Sequence, residues 1–408
     1  MKPILTYHGE LPILTDSSIG SNGLVSLSVT FKNGSMSETP AVNGVSHFIE
    51  HLVFRGSRKY TQEEISKESE RLGGYMNAYT TKEQTTFYIN GFSGNFDKFM
   101  DILLDIAFFP KLSEADFKHE QKVILTEIAS LKDSPEEYLD EEAEGYFFEG
   151  HPMAMPISGT ERSVKGFGVE SLRTFYNEKY TAGNCIISVA GSATADDVVK
   201  ALDNIGADVY SKATAPFDKE CVSKRFDKTL SLGVEQVYAQ YMLPACTASN
   251  DERFELSALN MILGGLMSSR LFQEVREKRG LCYNIETDMS LYAMCGALSV
   301  FFSCDRENLG AVEEITMNEI KRMAKHGITK AEFELAVNQM LYGFCSGLET
   351  SSGRMFSNLR QFFFHGKTVD SDNITKRIKS MTLSGVNSIA EKYYSAEESR
   401  CLILPSES

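Results

Sequence analysis

The sequence predicts an α+β protein built from two homologous domains. Strand-like and helix-like apolar patterns alternate along its 408 residues, a length that exceeds the usual size of one domain. A helix, a short loop and a second helix that begins at its own capping residue occur at a similar place in each half. We therefore expect two related domains that arose by internal duplication.

The repeated helix pair is the clearest sign of that duplication. In the first half, Ser113 can cap a new helix, and Asp116 follows it at the spacing of a capping box. In the second half, Thr329 and Glu332 stand in the same relation. An apolar pattern of helical period precedes both caps, so the same helix hairpin is predicted twice.

A polar stretch with Gly and Pro and little periodicity separates the halves. We place the first domain at residues 1–208, a linker at 209–226 and the second domain at 227–408. Each domain is then of ordinary size and has enough apolar residues for its own core.

Composition narrows the class of protein. The net charge of -15 makes nucleic acid an improbable partner, although basic peptides could be attracted. The first residues do not resemble a secretory signal, and no later stretch approaches the ~20 apolar residues of a membrane span. The eight cysteines form no CxxC pair, which suits a reducing compartment. We expect a soluble, cytoplasmic protein without membrane contact.

Residues 47–51 read His-Phe-Ile-Glu-His and carry the most specific chemical signal. The apolar neighbours predict a helix, which Asn43 or Ser46 can cap, and His47 and His51 then lie one turn apart on one face. Two imidazoles so placed can bind one zinc ion. Glu50 projects near the same edge and can exchange protons with a water at the metal. The alternative is a helix with two solvated or core histidines.

A catalytic zinc site needs a third protein ligand, and the helix after Ser113 offers Glu120 and Glu127 on one face. We predict that Glu127 binds the metal and that Glu120 orients a ligand or the water without binding the metal itself. Spacing alone leaves a pair of surface glutamates equally open. The second half supports the metal reading, because Ala336 and Gly343 stand at the corresponding positions.

The buried side of this helix should include Val123, Ile124, Ile128 and Leu131, which lie between and after the two glutamates. A carboxylate flanked by apolar positions is costly unless it is paired or bound to a metal. This pattern therefore favours a metal-binding role for the glutamates.

Several motifs together resemble the pitrilysin family of inverted zinc peptidases, in particular its mitochondrial processing peptidase branch. The resemblance covers nearly the whole chain. Its motifs are the segments HFIEHLVFRGS and GGYMNAYT, the pairs His151-Pro152, Pro156-Ile157 and Gly159-Thr160, and the segments SSRLF and VREKRGLCY. Glu127 and Glu120 also match the family's third ligand and its companion glutamate. Cys282 stands where the family usually has Ala.

The resemblance implies further features that spacing alone does not. Each half should be a sandwich-like unit with a mixed or antiparallel sheet covered by helices. Asn77 and Ala78 should lie on an exposed strand edge that receives the substrate as an added strand. Glu83 would help to position the substrate, although a plain turn or strand-surface carboxylate is equally consistent.

The resemblance also implies a role for the second half. Arg276 and Tyr283 match the family's substrate-contacting residues and would act on the metal site of a partner chain. An oxyanion formed on a peptide carbonyl can be stabilised by such groups. A solvated, charged helix end is the alternative for this segment.

The sequence therefore predicts a zinc endopeptidase with one Zn²⁺ per chain and Glu50 as its general base. Its substrates would be peptides, or unfolded or leader segments, and the resemblance implies that they are cut inside a dimeric chamber. The partner would be a second copy of the chain or a paralogous subunit. The alternative functions are a non-catalytic or peptide-holding subunit of such a heterodimer.

Overall fold

A computed structural model describes residues 2–18, 23–205 and 220–405. Most of the predicted linker, residues 209–219, lies outside the described residues. The described chain forms two compact units, each drawn from three segments. The first unit comprises Met1–Ile128, Met155–Asp218 and Cys345–Ile374, and the second Ala129–Ala154, Lys219–Phe344 and Thr375–Ser408.

The first unit contains a six-stranded mixed sheet in the order β1-β2-β6-β3-β5-β4. Its strands are β1 (Ile4–His8), β2 (Leu11–Asp16), β3 (Leu24–Phe31), β4 (Tyr75–Thr80), β5 (Thr85–Phe92) and β6 (Cys185–Gly191). Strands β2 and β6 are parallel, and the other neighbours are antiparallel. Strand β4 therefore forms one edge of this sheet.

The second unit contains a five-stranded sheet in the order β7-β11-β8-β10-β9. Its strands are β7 (Asp227–Leu232), β8 (Val237–Pro244), β9 (Cys282–Leu291), β10 (Gly296–Cys304) and β11 (Ser399–Pro405). The order repeats that of β2-β6-β3-β5-β4, and β7 and β11 are again the parallel pair. This repeated topology agrees with the predicted duplication.

The described residues also form α-helices around both sheets. They are α1 (Val45–Val53), α2 (Gln62–Arg71), α3 (Phe96–Phe108), α4 (Glu114–Ser130), α5 (Pro135–Phe147), α6 (Glu161–Gly166), α7 (Val169–Lys179), α8 (Ala195–Ile205), α9 (Arg253–Asn260), α10 (Leu309–His326), α11 (Lys330–Gly347), α12 (Ser351–His365), α13 (Ser371–Lys379) and α14 (Leu383–Tyr394). The second half of the sequence also contains two π-helical segments, Met261–Gly265 and Phe272–Glu277. Within the described chain, no helix has the length and apolar character needed to cross a bilayer.

Both predicted capping residues begin the expected helices. The Asp116 amide donates to the Ser113 hydroxyl over 3.1 Å at the start of α4. At the start of α11, the Thr329 amide donates to the Glu332 carboxylate over 2.7 Å. The helix hairpins α3–α4 and α10–α11 are therefore formed as the capping patterns predicted.

Strand β3 shows how the first sheet is covered on both faces. Its sequence LVSLSVTF alternates apolar and small polar side chains, so the two kinds point to opposite faces. The apolar side chains join the core that also contains residues of α1 and α3. The polar face meets α12, where the hydroxyls of Ser26 and Ser351 lie 2.9 Å apart and Ser188 donates to the Met355 carbonyl over 2.9 Å.

Helices α5 and α12 are exchanged between the two halves of the sequence. Helix α12, from the second half, packs on β3 and β6 in the first unit. Helix α5, from the first half, packs on β8 and β11 in the second unit. The covered strands occupy equivalent positions in the two sheets, so the exchange is reciprocal.

The exchange predicts a crossed pattern of destabilisation. Leu359→Ala in α12 should loosen β3 and β6, because it removes a buried side chain from the cluster on that sheet. Leu139→Ala in α5, a fully buried site, should instead loosen β8 and β11. We expect a cost of about 2–5 kcal/mol for each substitution. Amide hydrogen exchange, measured by mass spectrometry, tests this pattern. If each substitution raised the exchange rate only in the sheet of its own half of the sequence, the swap of α5 and α12 would be contradicted.

Candidate metal centre

Helix α1 places the two histidines and Glu50 on its less buried side. Phe48, Ile49, Leu52 and Val53 are almost fully buried in the core of the first unit. A helix whose apolar residues face the core leaves its remaining positions for other contacts. His47 and His51 are therefore kept one turn apart, as the motif predicted.

The start of α1 differs from the prediction. The helix begins after Gly44, whose φ of 92° suits glycine, and neither Asn43 nor Ser46 caps it with a side chain. Instead the buried carboxylate of Glu38 accepts hydrogen bonds from the amides of Gly44 and Ser46, each over 2.7 Å. The prediction of Asn43 or Ser46 as the cap was wrong, because a carboxylate from the preceding loop takes both donors.

Glu38 is thus a buried acid at the positive end of α1. The Asn43 amide adds a third hydrogen bond over 2.9 Å. Burial raises the pKa of the Glu38 carboxyl to about 7, and the hydrogen bonds from Ser46, Asn43 and Gly44 offset part of this effect. No sequence motif singled out Glu38, because two of its three partners are backbone amides.

Helix α4 brings Glu127 to the two histidines. The Nε2 atom of His47 lies 3.6 Å from one carboxylate oxygen of Glu127, and the Nε2 atom of His51 lies 3.7 Å from the other. One donor atom from each of the three residues falls within 4.8 Å of the others. Tetrahedral zinc with ligands at 2.0–2.1 Å separates its donors by about 3.3 Å, so this donor set fits such an ion.

The buried side of α4 is only partly as predicted. Ile124 is fully buried and Ile128 packs against the core, but Val123 is 40% exposed. Leu131 lies in the turn after α4 and is half-buried. The buried face instead includes Phe117, Glu120 and Ile124, which are spaced by one and two helical turns. The prediction for Val123 was wrong because the face that meets α1 is centred on Glu120.

Glu120 lies behind His51. Its side chain is almost fully buried, and one carboxylate oxygen lies 3.0 Å from Nδ1 of His51. The other oxygen pairs with the Arg55 guanidinium. A carboxylate at Nδ1 orients the ring and leaves Nε2 free to bind a metal. Burial, together with the neighbouring His51, lowers the pKa of the His47 imidazole to about 4, which keeps it neutral at pH 7.

Glu50 is held by the edge strand β4. The Thr80 hydroxyl donates to one Glu50 carboxylate oxygen over 2.6 Å. Burial raises the pKa of the Glu50 carboxyl, and the Thr80 hydrogen bond opposes that rise. Thr80 belongs to the GGYMNAYT segment, but the sequence does not indicate its contact with Glu50, because the two residues are 30 positions apart.

Asn77 and Ala78 lie on the edge strand β4. The Ala78 amide donates to the Asn77 side-chain oxygen over 2.8 Å, so this amide points away from β5. Glu83 lies in the turn between β4 and β5 and is only 7% exposed, which differs from an exposed strand-surface carboxylate.

Arg276 and Tyr283 lie together in the second unit. The Arg276 guanidinium carbon is 5.3 Å from the centre of the Tyr283 ring. Tyr283 is 78% exposed. Cys304 pairs with Cys282 and Ser303 pairs with Asn284, so Tyr283 is an extra residue in β9. A bulge of this kind turns a side chain away from the regular ladder.

Comparison with known proteins assigns the chain to a protein family. Residues 18–161 match the family model described as insulinase, peptidase family M16, and residues 166–340 match the peptidase M16 inactive domain. An uncharacterised zinc protease of Bacillus subtilis is 30% identical over 94% of this chain and 93% of its own. The chain belongs to peptidase family M16. A second uncharacterised zinc protease, from Streptomyces coelicolor, is 30% identical over 98% of this chain and 89% of its own.

Solved structures show the same M16 fold. A peptidase M16 inactive domain from Pseudomonas fluorescens aligns with a TM-score of 0.91 at 18% identity, over 100% of this chain and 99% of that chain. A protease from Helicobacter pylori aligns with a TM-score of 0.87 at 19% identity, over 99% of both chains. The two-domain α/β fold with helix-covered sheets is therefore shared across these proteins.

The buried acid at the start of α1 predicts a specific pH dependence for this M16 chain. The Glu38 pKa is about 7 in the folded chain against a usual 4.5, so folding favours its protonated form. Its contribution to the free energy of unfolding is therefore present below about pH 4.5 and is lost as the pH rises through about 7. Glu38→Gln should gain stability relative to the wild type by on the order of 2–3 kcal/mol between pH 5 and pH 8.

Urea unfolding at both pH values measures this difference. Glu63→Gln on α2, where the side chain is 73% exposed, should show no such trend. A difference for Glu38→Gln that stays constant with pH, or changes in the opposite direction, contradicts the raised pKa.

Proposed function

We propose that this M16 chain is a zinc endopeptidase whose metal is held by His47, His51 and Glu127. The observation that carries the proposal is the convergence of these three donor atoms within 4.8 Å. Glu50, on the same helix as both histidines, completes the set of groups that peptide hydrolysis needs. The names of the relatives as zinc proteases support the same reading.

The donor set suits one zinc ion per chain. Two imidazoles and one carboxylate are ligands that catalytic zinc sites use, and they leave a fourth position for water or substrate. A bound zinc ion would lower the pKa of a coordinated water and polarise the peptide carbonyl. Glu120 holds the His51 ring in the orientation that presents Nε2.

Glu50 is the proposed general base. Its carboxylate takes a proton from the attacking water and then delivers that proton to the leaving nitrogen. Its burial raises its pKa, which makes it a better base, while the Thr80 hydroxyl fixes the orientation of the carboxylate. We assign the proton transfer to the second oxygen of the carboxylate.

Strand β4 is the proposed substrate-binding edge. Helix α1 packs against β4, and Thr80 joins the two through Glu50. A peptide that pairs with Asn77 and Ala78 as an added strand would thus run beside the general base. Main-chain pairing suits unfolded or leader segments of varied sequence. Glu83, buried in the following turn, would support this edge rather than contact the peptide directly.

Arg276 and Tyr283 are proposed to act in trans within a homodimer. The family resemblance suggests that each chain presents them to the metal site of the other chain. A hydroxyl and a guanidinium can stabilise the oxyanion that forms when water attacks the peptide carbonyl. The exposure of Tyr283 on a bulged strand is consistent with contact to another molecule.

The inactive-domain match covers residues 166–340 and does not include α1 or α4, which carry His47, His51 and Glu127. In α11 a fully buried Ala336 stands where α4 has Glu120, and Gly343 stands where α4 has Glu127. The metal-binding residues and Glu50 are all retained in the first half. A non-catalytic or peptide-holding subunit would not need a general base beside the metal ligands, so we favour the catalytic reading.

Glu50→Gln tests the enzymatic proposal. The substitution removes the base but leaves the metal ligands, so zinc content should stay near one per chain while peptide cleavage falls by about a thousandfold or more. Metal analysis and a quenched fluorescent peptide assay measure the two properties. Glu114→Gln, on the exposed start of α4, serves as the control and should keep full activity. Retained cleavage in Glu50→Gln, or wild-type cleavage that survives chelation of zinc, would reject the mechanism.

Mixing two inactive chains tests action in trans. Tyr283→Phe should lower kcat by about a hundredfold, as expected for loss of an oxyanion donor. Mixed one to one with Glu50→Gln, it should recover about a quarter of wild-type activity, because half of the randomly paired dimers contain one complete site. No recovery would reject action in trans, and full activity of Tyr283→Phe alone would reject its catalytic role.

A further inference from the structure

A row of aromatic rings lines the face of the first sheet opposite to α1. Along β4, Met76, Ala78 and Thr80 point towards the core and α1. Tyr75, Asn77 and Tyr79 therefore point to the other face, where α12 lies. On that face the row consists of Tyr75, Tyr79, Tyr88 and Phe356, which we call the aromatic shelf.

The rings of the aromatic shelf form a continuous surface. Tyr88 lies 6.4 Å from both Tyr75 and Tyr79, and Phe356 lies 5.2 Å from Tyr88 and 6.0 Å from Tyr79, measured between ring centres. These spacings are those of favourable aromatic pairs. Tyr75 is 58% exposed at the end of the row, so its ring is available to a further side chain.

The main chain of β4 sets which groups a bound peptide meets. The Thr81 amide donates to the Gln84 carbonyl over 2.8 Å, which fixes the alternation of the antiparallel pairing. The main-chain groups of Thr80, Ala78 and Met76 then point to the free edge. The hydrogen bond from the Ala78 amide to the Asn77 side chain agrees with this direction, since that amide is turned away from β5.

An added strand continues the pleat of the sheet that it joins. Its side chains alternate between the two faces, as those of β4 do. One set points to the face of α1, Glu50 and the metal ligands. The other set, displaced by one residue, points to the face of the aromatic shelf. Successive side chains of the bound peptide therefore contact opposite faces of the sheet, and every second side chain meets the same face.

We propose that the aromatic shelf is a specificity subsite that binds bulky apolar or aromatic side chains of the peptide, at every second position and away from the metal. The inference rests on the proposed peptidase function and on substrate binding along β4. It identifies the substrate class as peptides in which large apolar residues alternate with others.

The polar groups of the aromatic shelf favour this occupant over a cationic side chain. The Tyr75 hydroxyl accepts a hydrogen bond from the Asn77 amide over 2.9 Å, and the Tyr79 hydroxyl accepts one from the Gln84 amide over 3.1 Å. Asp16, the carboxylate that lies against the first half of α12, is already paired with Arg354 at 3.7 Å. What the rings offer to a neighbour is therefore mainly apolar surface.

A positional scan of peptides tests the subsite. Quenched fluorescent peptides that differ at one position carry Phe, Arg or Ser, and kcat/KM is measured for each on the wild-type chain. Binding of the same peptides to the Glu50→Gln chain, followed by fluorescence anisotropy, gives a second readout that needs no cleavage. We expect Phe to be favoured over Ser by about three- to tenfold at alternate positions only.

Variants of Tyr75 assign the preference to the shelf. Tyr75→Ala should abolish the advantage of Phe over Ser at the position that meets this ring. Tyr75→Phe, which removes only the hydroxyl, should keep it. Tyr7→Ala is the matched control, because Tyr7 is a 55% exposed tyrosine on β1 at the opposite edge of the sheet, and it should change neither activity nor preference.

The outcomes separate failure of the subsite from failure of the proposed function. If peptides are bound or cut with no preference for Phe at alternate positions, the proposed subsite is rejected. A preference for Arg over Phe at those positions also rejects it. An advantage of Phe that persists in Tyr75→Ala and in Tyr88→Ala also overturns it. If the wild-type chain neither cuts nor binds any peptide in the presence of zinc, the proposed peptidase function itself is rejected.

Discussion

The packing of α1 against α4 is the contact on which the metal centre depends. The rings of Phe48 on α1 and Phe117 on α4 are stacked, with centres 4.6 Å apart and planes 10° apart. Phe117 begins the helical face that continues with Glu120, Ile124 and Glu127. This buried aromatic contact aligns the two helices, and the carboxylates are then presented to His51 and His47. The stacked rings therefore hold the two helices that carry the candidate ligands in a fixed relation to one another.

Two buried carboxylates secure α1 within that arrangement. Glu38 holds the first amides of the helix, and Glu120 holds the ring of His51 near its last turn. Buried charges are costly unless hydrogen bonds satisfy them, and here backbone amides, an imidazole and the Arg55 guanidinium supply the partners. The polar groups around α1 therefore fix the orientation of the site, while the apolar side fixes its location.

The duplicated second unit shows that the fold does not require these polar groups. It repeats the strand order and the helix hairpin, yet it has a buried Ala336 at the position of Glu120. Alanine needs no polar partner, so this position of the second hairpin requires neither a metal nor an ion pair. The carboxylates of the first unit are thus an addition to the shared scaffold, which is consistent with a functional role.

Local patterns in the sequence determined the mixed fold, the two capped hairpins, the helix of the two histidines and the candidate ligands. Those features depend on periodicity and on residues one to several turns apart. Glu38, Thr80, the aromatic shelf and the exchange of α5 and α12 were decided only by the tertiary structure. Each of these depends on contacts between segments that are distant in sequence or on backbone amides, which carry no residue signature. The same reason explains why the predicted burial of Val123 was wrong. The side of a helix that becomes buried depends on the neighbour that it packs against.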